Sequence, residues 1–409
     1  MATPATHAFT TFRDVLRIRD YRLLWAAQVV STFGDRLTQI AITAVVFALT
    51  GSEVSIGLAL SLTMLPQALF GLPAGAVADR CSRKSLLVAT DVIRAGLILA
   101  LAMLARLPVE MVYVVAALHA TATVFFAPAR YAVLPDIVAP EQLLQANSLD
   151  ETSQSALDPV AYVVGGALVA AAGTRMSFTL DALTFAASAT LIAATTTRRA
   201  SMWRAPADEN RSSFRRDMLT GLRHLWDTPR LRANTILMLL ASLVASAESP
   251  LTYMLVLSHW RTGAWGLGVI EAGLAVGIVA GSLICSYVVA TLGRGLCILL
   301  GLVLTGISMI GVAQLSFWPA VLLVAVSGVF NMMFWVPTVN LQLELAPPAA
   351  RARVLSARRT LSTLTILFSY ALSTALVSVM AATTVLTLFG AALFAVSAGG
   401  LGYAELRRP

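Results

Sequence analysis

The chain has 409 residues, of which 58% are hydrophobic and only 12% carry a charge. Soluble domains carry about 25% charged residues, so this composition excludes an ordinary soluble domain and predicts a polytopic membrane protein. The net charge of +8 does not indicate a nucleic-acid partner, because the basic residues are sorted by loop. Since one bilayer span needs about 20 apolar residues, the length allows roughly a dozen spans.

The order of apolar and charged segments predicts two helical bundles joined by a linker. We expect a polar segment over 1–20 without a signal-peptide core, a six-helix bundle over 21–194, a cytoplasmic linker over 195–232, a second six-helix bundle over 233–403 and a tail over 404–409. The predicted fold class is all-α, with twelve transmembrane helices in two pseudo-symmetric halves. The predicted spans are 21–47, 56–78, 86–105, 109–126, 147–172, 178–194, 233–257, 264–292, 295–315, 319–337, 360–380 and 384–403.

The charged loops indicate the orientation of these spans. On one side the basic residues are limited to Arg106, Arg175 and Arg261, whereas the other side holds nearly all the rest, with Arg130 counted among its loop residues. The positive-inside rule therefore predicts that both termini are cytoplasmic. The charges of the linker exclude it from hydrocarbon, and we expect an amphipathic surface helix near 214–226.

A weak internal repeat supports the division into halves. One constant shift along the sequence aligns Gly57 with Gly268 and Arg83 with Arg294. Two parallel halves related by an axis along the membrane normal are an arrangement known in secondary transporters.

A charged turn lies between the second and third predicted spans. Residues 75–84 read Gly-Ala-Val-Ala-Asp-Arg-Cys-Ser-Arg-Lys. This pattern resembles the signature loop of the major facilitator superfamily of secondary transporters, with Ser82 where the family usually has glycine. Residues 31–35 (Ser-Thr-Phe-Gly-Asp), 128–130 (Pro-Ala-Arg) and 134–136 (Leu-Pro-Asp) resemble its drug and siderophore exporters, a branch that includes the enterobactin exporter and macrolide efflux proteins. The C-terminal half matches only in pattern.

The resemblance implies a major facilitator fold and a cytoplasmic gate. In that family, Asp136 and the start of the eleventh helix are expected to pair with residues 75–84 when the cytoplasmic side is closed. Gly75 is expected to let another helix approach closely. Asp91 and Arg94 stand three apart on the third helix and predict an internal ion pair, which either serves the gate or is purely structural. The predicted gate residues are Gly75, Asp79, Arg80, Arg83, Lys84, Asp91, Arg94 and Asp136.

Two acidic residues inside predicted spans are candidates for proton coupling. A carboxylate near the centre of a span costs about 2.5–3.5 kcal/mol on insertion scales, so Asp35 must face protein or water and is a functional candidate. The alternative is a structural pair with Arg36 or with another helix. Glu248 lies at a comparable predicted depth in the second half. Because Ser249 and Pro250 follow it, it could instead mark a helix break near the outer face.

Polar residues in other spans are candidates for binding the substrate. His119 either relays a proton or is hydrogen-bonded in the core, and Glu271 lies either in a binding site or in a wet vestibule. Asp181 is expected to be structural, near the outer end of its helix. The aromatic and methionine residues of the tenth helix suit irregular ligands or face lipid. The predicted substrate-binding residues are Gln39, His119, Glu271, Asn331, Trp335 and Asn340.

One motif of the resembled exporters is altered. Their fifth helix carries a Gly-Pro-x-x-Gly-Gly pattern associated with antiporters. In this chain the pattern would end at Gly165 and Gly166, with Tyr162 in place of the proline and Pro159 three residues earlier. The helix kink is therefore either displaced by about one turn or replaced by another arrangement.

Taken together, the sequence predicts an exporter of an amphipathic small molecule, such as a drug, macrolide or siderophore, that works by alternating access. We expect protons as the coupling ion, a monomer, the bacterial inner membrane as location, and no nucleic-acid partner, metal or cofactor. The alternative is a facilitator or importer of a nutrient or lipid-like molecule. A membrane-embedded enzyme is disfavoured because the spans contain no nucleophile or metal cluster. Cys81, Cys285 and Cys297 predict no disulfide framework.

Overall fold

The computed structural model of the protein describes residues 11–104, 108–196, 214–347 and 351–401. These residues are almost entirely helical and form no strand. The predicted tail over 404–409, the first ten residues of the N-terminal segment and most of the predicted linker lie outside the described residues.

The described part contains fourteen α-helices, with a 3₁₀ turn at Pro140–Gln142 and a π-helical turn at Leu255–His259. In chain order, the helices are α1 Phe12–Leu16, α2 Arg19–Thr50, α3 Glu53–Arg80, α4 Arg83–Met103, α5 Val109–Ile137, α6 Leu143–Ala193, α7 Phe214–Asp227, α8 Pro229–Ala245, α9 Glu248–Met254, α10 Gly263–Leu292, α11 Arg294–Gln314, α12 Phe317–Leu345, α13 Arg351–Val377 and α14 Ala382–Leu401.

Within the described ranges, ten helical segments are long and apolar enough to cross a membrane. The protein is therefore a multi-pass membrane protein. A further apolar helical segment, Ala382–Ser397, is shorter. The amphipathic helix that we expected near 214–226 is present as α7.

The predicted spans 147–172 and 178–194 form one element, α6, which turns back on itself at Gly173. The backbone there has φ 77° and ψ 170°, a conformation that favours glycine. Both ends of α6 lie beside the start of α2, since the hydroxyl of Tyr21 donates to the carbonyl of Ala146 at 3.0 Å and the backbone N–H of Thr196 donates to Asp20 at 3.0 Å. The helix therefore consists of two antiparallel arms, as the two predicted spans require.

Two helices extend beyond the apolar runs that predicted them. The span predicted over 109–126 belongs to α5, which continues to Ile137 and includes Arg130 and Asp136. The assignment of Arg130 to a loop was therefore wrong, and the residue is 5% exposed. A charged residue ends an apolar run in the sequence, but it does not end the helix. The backbone hydrogen bonds of the helix continue through such a residue when its side chain is buried. α13 likewise begins at Arg351, before the predicted start of its span.

The helices share one apolar core that extends through both bundles. A smaller cluster joins α7 to α13, with Leu225 packed against Val354 and Ala357. A Cβ atom at Gly221 would lie 2.3 Å from the carbonyl oxygen of Arg353, so α7 packs directly on the backbone of α13. The linker helix is thus fixed to the second bundle.

Candidate functional site

A cavity of about 480 Å³, lined by apolar, polar and charged side chains, lies among α2, α3, α5 and α6 and reaches Ser249 and Tyr370 of the second bundle. A second cavity of about 690 Å³ continues it between the first bundle and helices α12 and α13. The two share the lining residues Gln67, Val124, Ala127 and Tyr131. The first of these is called the central cavity below.

Asp35 is the one carboxylate among the described residues that line the central cavity, and its side chain is 27% exposed. It accepts hydrogen bonds from Nη1 of Arg94, which lies 3.3 Å from Oδ1 and 3.4 Å from Oδ2. Nε2 of His119 lies 3.7 Å from Oδ1. Of the two alternatives for Asp35, a pair with another helix is present, and the residue remains open to the cavity.

Arg94 is the cation at the centre of this cluster and is 1% exposed. Its Nη2 donates to the fully buried carboxylate of Asp91, which also accepts from the hydroxyl of Ser188 at 2.6 Å. The guanidinium lies 4.6 Å from the ring centroid of Phe126 and 4.5 Å from that of Phe185. The i, i+3 contact of Asp91 and Arg94 is therefore present, and the same arginine also holds Asp35.

Arg36 points to a different partner. Its Nε and Nη2 donate to the two carboxylate oxygens of Asp158 at 2.8 and 3.0 Å. This bidentate geometry is the strong form of an arginine–carboxylate pair. Asp35 therefore contacts Arg94 of α4 and His119 of α5 and not Arg36.

Asp181 lies deep in the first bundle, not near the end of its helix as we expected. It accepts a hydrogen bond from the hydroxyl of Thr38 and one from that of Thr184 at 3.2 Å, and it is fully buried. A Cβ atom at Gly34 would lie 2.3 Å from its Oδ1. The glycine of the Ser-Thr-Phe-Gly-Asp motif therefore makes room for Asp181 and Thr184.

Glu248 is the first residue of α9, directly after an interruption at Ser246 and Ala247. Its Oε2 accepts from the hydroxyl of Ser327 on α12 at 3.1 Å. Glu248 is absent from the described lining of the central cavity, although its neighbour Ser249 is part of it. The structure does not bring Glu248 into contact with Asp35, and its coupling role stays a prediction.

A hydrogen-bonded chain that includes Gln39, in the wall of the central cavity, joins the two bundles. Nε2 of Gln39 donates to the hydroxyl of Tyr253 at 2.8 Å, and the hydroxyl of Tyr162 donates to Oε1 of Gln39 at 3.2 Å. Tyr253 is in turn hydrogen-bonded to the buried carboxylate of Glu271. Tyr162, which replaces the expected proline, thus contributes to contact between the bundles.

The bundles also touch at the end of the molecule that contains Gly57, called the Gly57 end. The backbones of α6 and α10 approach so closely that a Cβ atom at Gly166 would lie 2.9 Å from Cα of Gly268. The hydroxyl of Ser258 donates to Glu53. A Cβ atom at Gly57 would lie 2.0 Å from the hydroxyl oxygen of Thr374. These contacts close the central cavity at the Gly57 end only.

The opposite end, called the Arg83 end, carries the charged turn. Nη1 of Arg83 donates to Oδ2 of Asp136 and to the carbonyl of Ala132, both at 2.6 Å. Nζ of Lys84 donates to the carbonyl of Thr195 at 2.7 Å. The charged turn therefore joins α4 to α5 and to the end of α6, whereas Asp91 and Arg94 lie deeper, beside Asp35.

The start of α13 does not close on the charged turn in this structure. The second cavity lies between Gly75 and Arg359, and a Cβ atom at Gly75 would meet no described atom within 4 Å. The close helix approach that we expected at Gly75 is therefore absent here. Arg80 is exposed, and the side chain of Asp79 lies outside the described residues.

The polar residues predicted on α12 line neither cavity. The ring of Trp335 lies 5.3 Å from the guanidinium carbon of Arg358, Asn340 is exposed and Asn331 is partly buried. Gln39 and His119 do line the central cavity. Sequence reasoning did not select Arg130 and Gln154, which line it too, although an arginine within an apolar helix could have signalled the first.

The family model described as Major Facilitator Superfamily matches residues 24–281. The chain belongs to this superfamily. The members of this superfamily are membrane transporters and not enzymes. The fold agrees, because a POT family transporter solved in complex with 5-aminolevulinic acid superposes with a TM-score of 0.76 at 11% identity, over 95% of this chain and 97% of that one.

Two further proteins are similar to the chain. A bacterial homologue of the iron transporter ferroportin, solved in an inward-facing state, has a TM-score of 0.73 at 16% identity, over 96% of this chain and 100% of that one. Macrolide efflux protein A of Streptococcus pyogenes is 35% identical over 150 residues, which are 36% of this chain and 36% of the relative. The matched segment thus spans about a third of that curated relative.

Proposed function

We propose that the chain is a proton-coupled exporter of an amphipathic small molecule that works by alternating access. The resemblance to a macrolide efflux protein over part of the chain supports export. The observation that carries the coupling is the position of Asp35, a partly exposed carboxylate in the cavity wall held by long contacts to Arg94 and His119.

These contacts suit a site that exchanges a proton for cargo. Arg94 is engaged by the buried carboxylate of Asp91, so it keeps one partner when Asp35 is neutralised. A proton on Asp35 removes its attraction for Arg94, and a cationic or polar group of the cargo competes for the same oxygens. Proton and cargo therefore occupy Asp35 in turn, as antiport requires.

The proposed topology has twelve spans in two halves, with both termini in the cytoplasm of a bacterium and a monomer as the working unit. The reversal of α6 at Gly173 and the apolar helix α14 support twelve spans. The basic residues of the charged turn support a cytoplasmic Arg83 end. With this orientation, the structure corresponds to a state that is open to the cytoplasm and closed at the Gly57 end. Contacts of the charged turn with α13 then belong to the state that is closed to the cytoplasm.

Inverted membrane vesicles with an imposed pH gradient test this function. The probes are a labelled macrolide, an iron-free catecholate siderophore and a rhodamine dye. We expect gradient-driven accumulation of at least one probe, and at least a tenfold lower rate for Asp35→Asn, because the amide does not exchange a proton. Glu110→Gln is the matched control, since Glu110 is exposed at the start of α5.

Flux that is equal with and without the gradient would identify a facilitator and refute antiport. Full gradient-driven transport by Asp35→Asn would show that the coupling residue is elsewhere, in which case Glu248→Gln becomes the next variant to measure.

A further inference from the structure

The wall of the central cavity contains five buried polar atoms with no hydrogen-bond partner in the part of the chain that the structure describes, and two of them, Nε of Arg94 and Nε2 of His119, belong to the cluster around Asp35. The other three are Oε1 of Gln28, Nη1 of Arg130 and Nε2 of Gln154, whose residues also line the central cavity. A buried polar group without a partner is destabilising, and a charged one more so. Such groups in a transporter cavity are candidates for contacts that the cargo completes.

Contacts between helices place Gln28, Arg130 and Gln154 at the same height along the axis of the bundle. Nε1 of Trp25 donates to Ser153 at 2.9 Å, and Gln28 and Gln154 lie next to this pair along α2 and α6. The hydroxyl of Tyr131, the neighbour of Arg130, donates to Glu151 at 3.2 Å. Gln28, Arg130 and Gln154 therefore converge from α2, α5 and α6.

The charge of Arg130 is not matched by a close carboxylate. No described acidic group lies within salt-bridge distance of it, and its guanidinium instead lies 4.4 Å from the ring centroid of Tyr131. The acidic residue in its surroundings is Asp150, which accepts a hydrogen bond from Tyr21 at 3.1 Å. Because arginine stays protonated, its unpaired N–H requires an acceptor.

The level of Arg130 is separated from Asp35. Gln28 precedes Asp35 by about two helical turns of α2, which corresponds to roughly 10 Å along the axis. The cavity thus has a carboxylate at one level, and at the other level two unpaired donors and one unpaired acceptor. A carboxylate group of a ligand accepts from both donors, and a guanidinium recognises it strongly.

We propose that Arg130 and Gln154 form an anion-binding subsite for a carboxylate of the transported molecule, with Gln28 accepting a neighbouring hydroxyl. The inference rests on the proposed function, because it concerns the cargo of the same cavity. It narrows the cargo to an amphipathic organic anion or zwitterion, whose cationic or polar end extends toward Asp35.

The test compares two dyes that differ only in a carboxylate, rhodamine B and its ethyl ester. Binding to the purified full-length protein in detergent is measured by fluorescence anisotropy. Wild-type protein is expected to bind the acid about tenfold more tightly than the ester, the effect of one charge-assisted hydrogen bond. Arg130→Gln is expected to abolish this difference by weakening the acid and leaving the ester unchanged.

A second variant tests the subsite independently of the folding of Arg130→Gln. Gln154→Glu places a negative charge within the subsite and is expected to weaken binding of the acid by at least tenfold without weakening binding of the ester. The control is Arg294→Gln, which removes an arginine that is exposed and paired with Glu344. It should keep the wild-type preference.

Equal affinity of wild-type protein for the two dyes, including undetectable binding of both, would overturn the subsite. Equal weakening of both dyes by Arg130→Gln, with the acid unaffected by Gln154→Glu, would assign Arg130 a structural role. Failure of proton-driven export with the acid preference intact would instead refute the proposed function and leave the subsite standing.

Discussion

At the scale of single residues, Arg94 is the cation that contacts both Asp35 and Asp91 in the interior of the first bundle. Replacing it by Leu leaves the carboxylate of Asp91 buried without its partner, a loss of about 3–5 kcal/mol in comparable buried pairs. We therefore expect Arg94→Leu to lower the melting temperature of the purified protein in detergent by several degrees. Arg294→Gln breaks an exposed ion pair, which contributes less than about 1 kcal/mol to stability. This control should therefore change the melting temperature little.

A compensating variant makes this prediction sharper. Asn at position 91 keeps the geometry for Ser188 but removes the charge, so Asp91→Asn combined with Arg94→Leu should recover part of the lost stability. If the double variant melts no higher than Arg94→Leu alone, the unpaired carboxylate is not the cause of the loss.

The same residues show what the sequence could and could not predict. The contact of Asp91 with Arg94 follows from helical spacing alone. The contacts of Arg94 with Asp35 and of Arg36 with Asp158 join residues 59 and 122 positions apart, so they depend on how the helices pack. Both arginines lie in predicted spans, and only the packing decides which carboxylate each one meets.

At the scale of helices, the close approach of α6 and α10 closes the Gly57 end. A Cβ atom at Gly268 would lie 2.4 Å from the carbonyl oxygen of Tyr162, a backbone atom that cannot turn away. We expect Gly268→Ala to separate the two helices and to open this end more often. The readout is labelling of Thr43→Cys, in the cavity wall, by a membrane-impermeant maleimide in a background with the native cysteines replaced by serine.

Labelling from the Gly57 side should be several-fold faster with Gly268→Ala than without it. Gly96→Ala is the matched control, because an added Cβ there meets nothing within 4 Å. Equal labelling rates in the two alanine variants would show that this glycine contact does not hold the end closed.

Helix boundaries were the weaker part of the prediction, for a physical reason. Hydropathy reports where a helix meets hydrocarbon, whereas backbone hydrogen bonding decides where the helix ends. α5 and α13 therefore extend past their apolar runs. The interruption beside Glu248, by contrast, was indicated by the Ser-Pro pair that follows it.

At the scale of the whole molecule, the two bundles are in contact at the Gly57 end and separated by a cavity at the Arg83 end. α3 and α13 illustrate this, because they touch at Gly57 and Thr374 but line opposite sides of the second cavity at Gly75 and Arg359. The charged turn and the Asp35 motif predicted the superfamily fold. They could not predict this state, because one sequence adopts every state of a transport cycle.

Alternating access requires the Gly57 end to open, and the contact of Glu53 with Ser258 allows this to be blocked. In a background with serine in place of the native cysteines, Glu53→Cys with Ser258→Cys should react with a short bifunctional methanethiosulfonate, which joins the two thiols through disulfide bonds. Cross-linking should reduce transport of the probe dye at least tenfold, and thiol reduction should restore it. Each single cysteine variant should remain active after the same treatment. Transport at the uncross-linked rate by the cross-linked protein would contradict opening at this end.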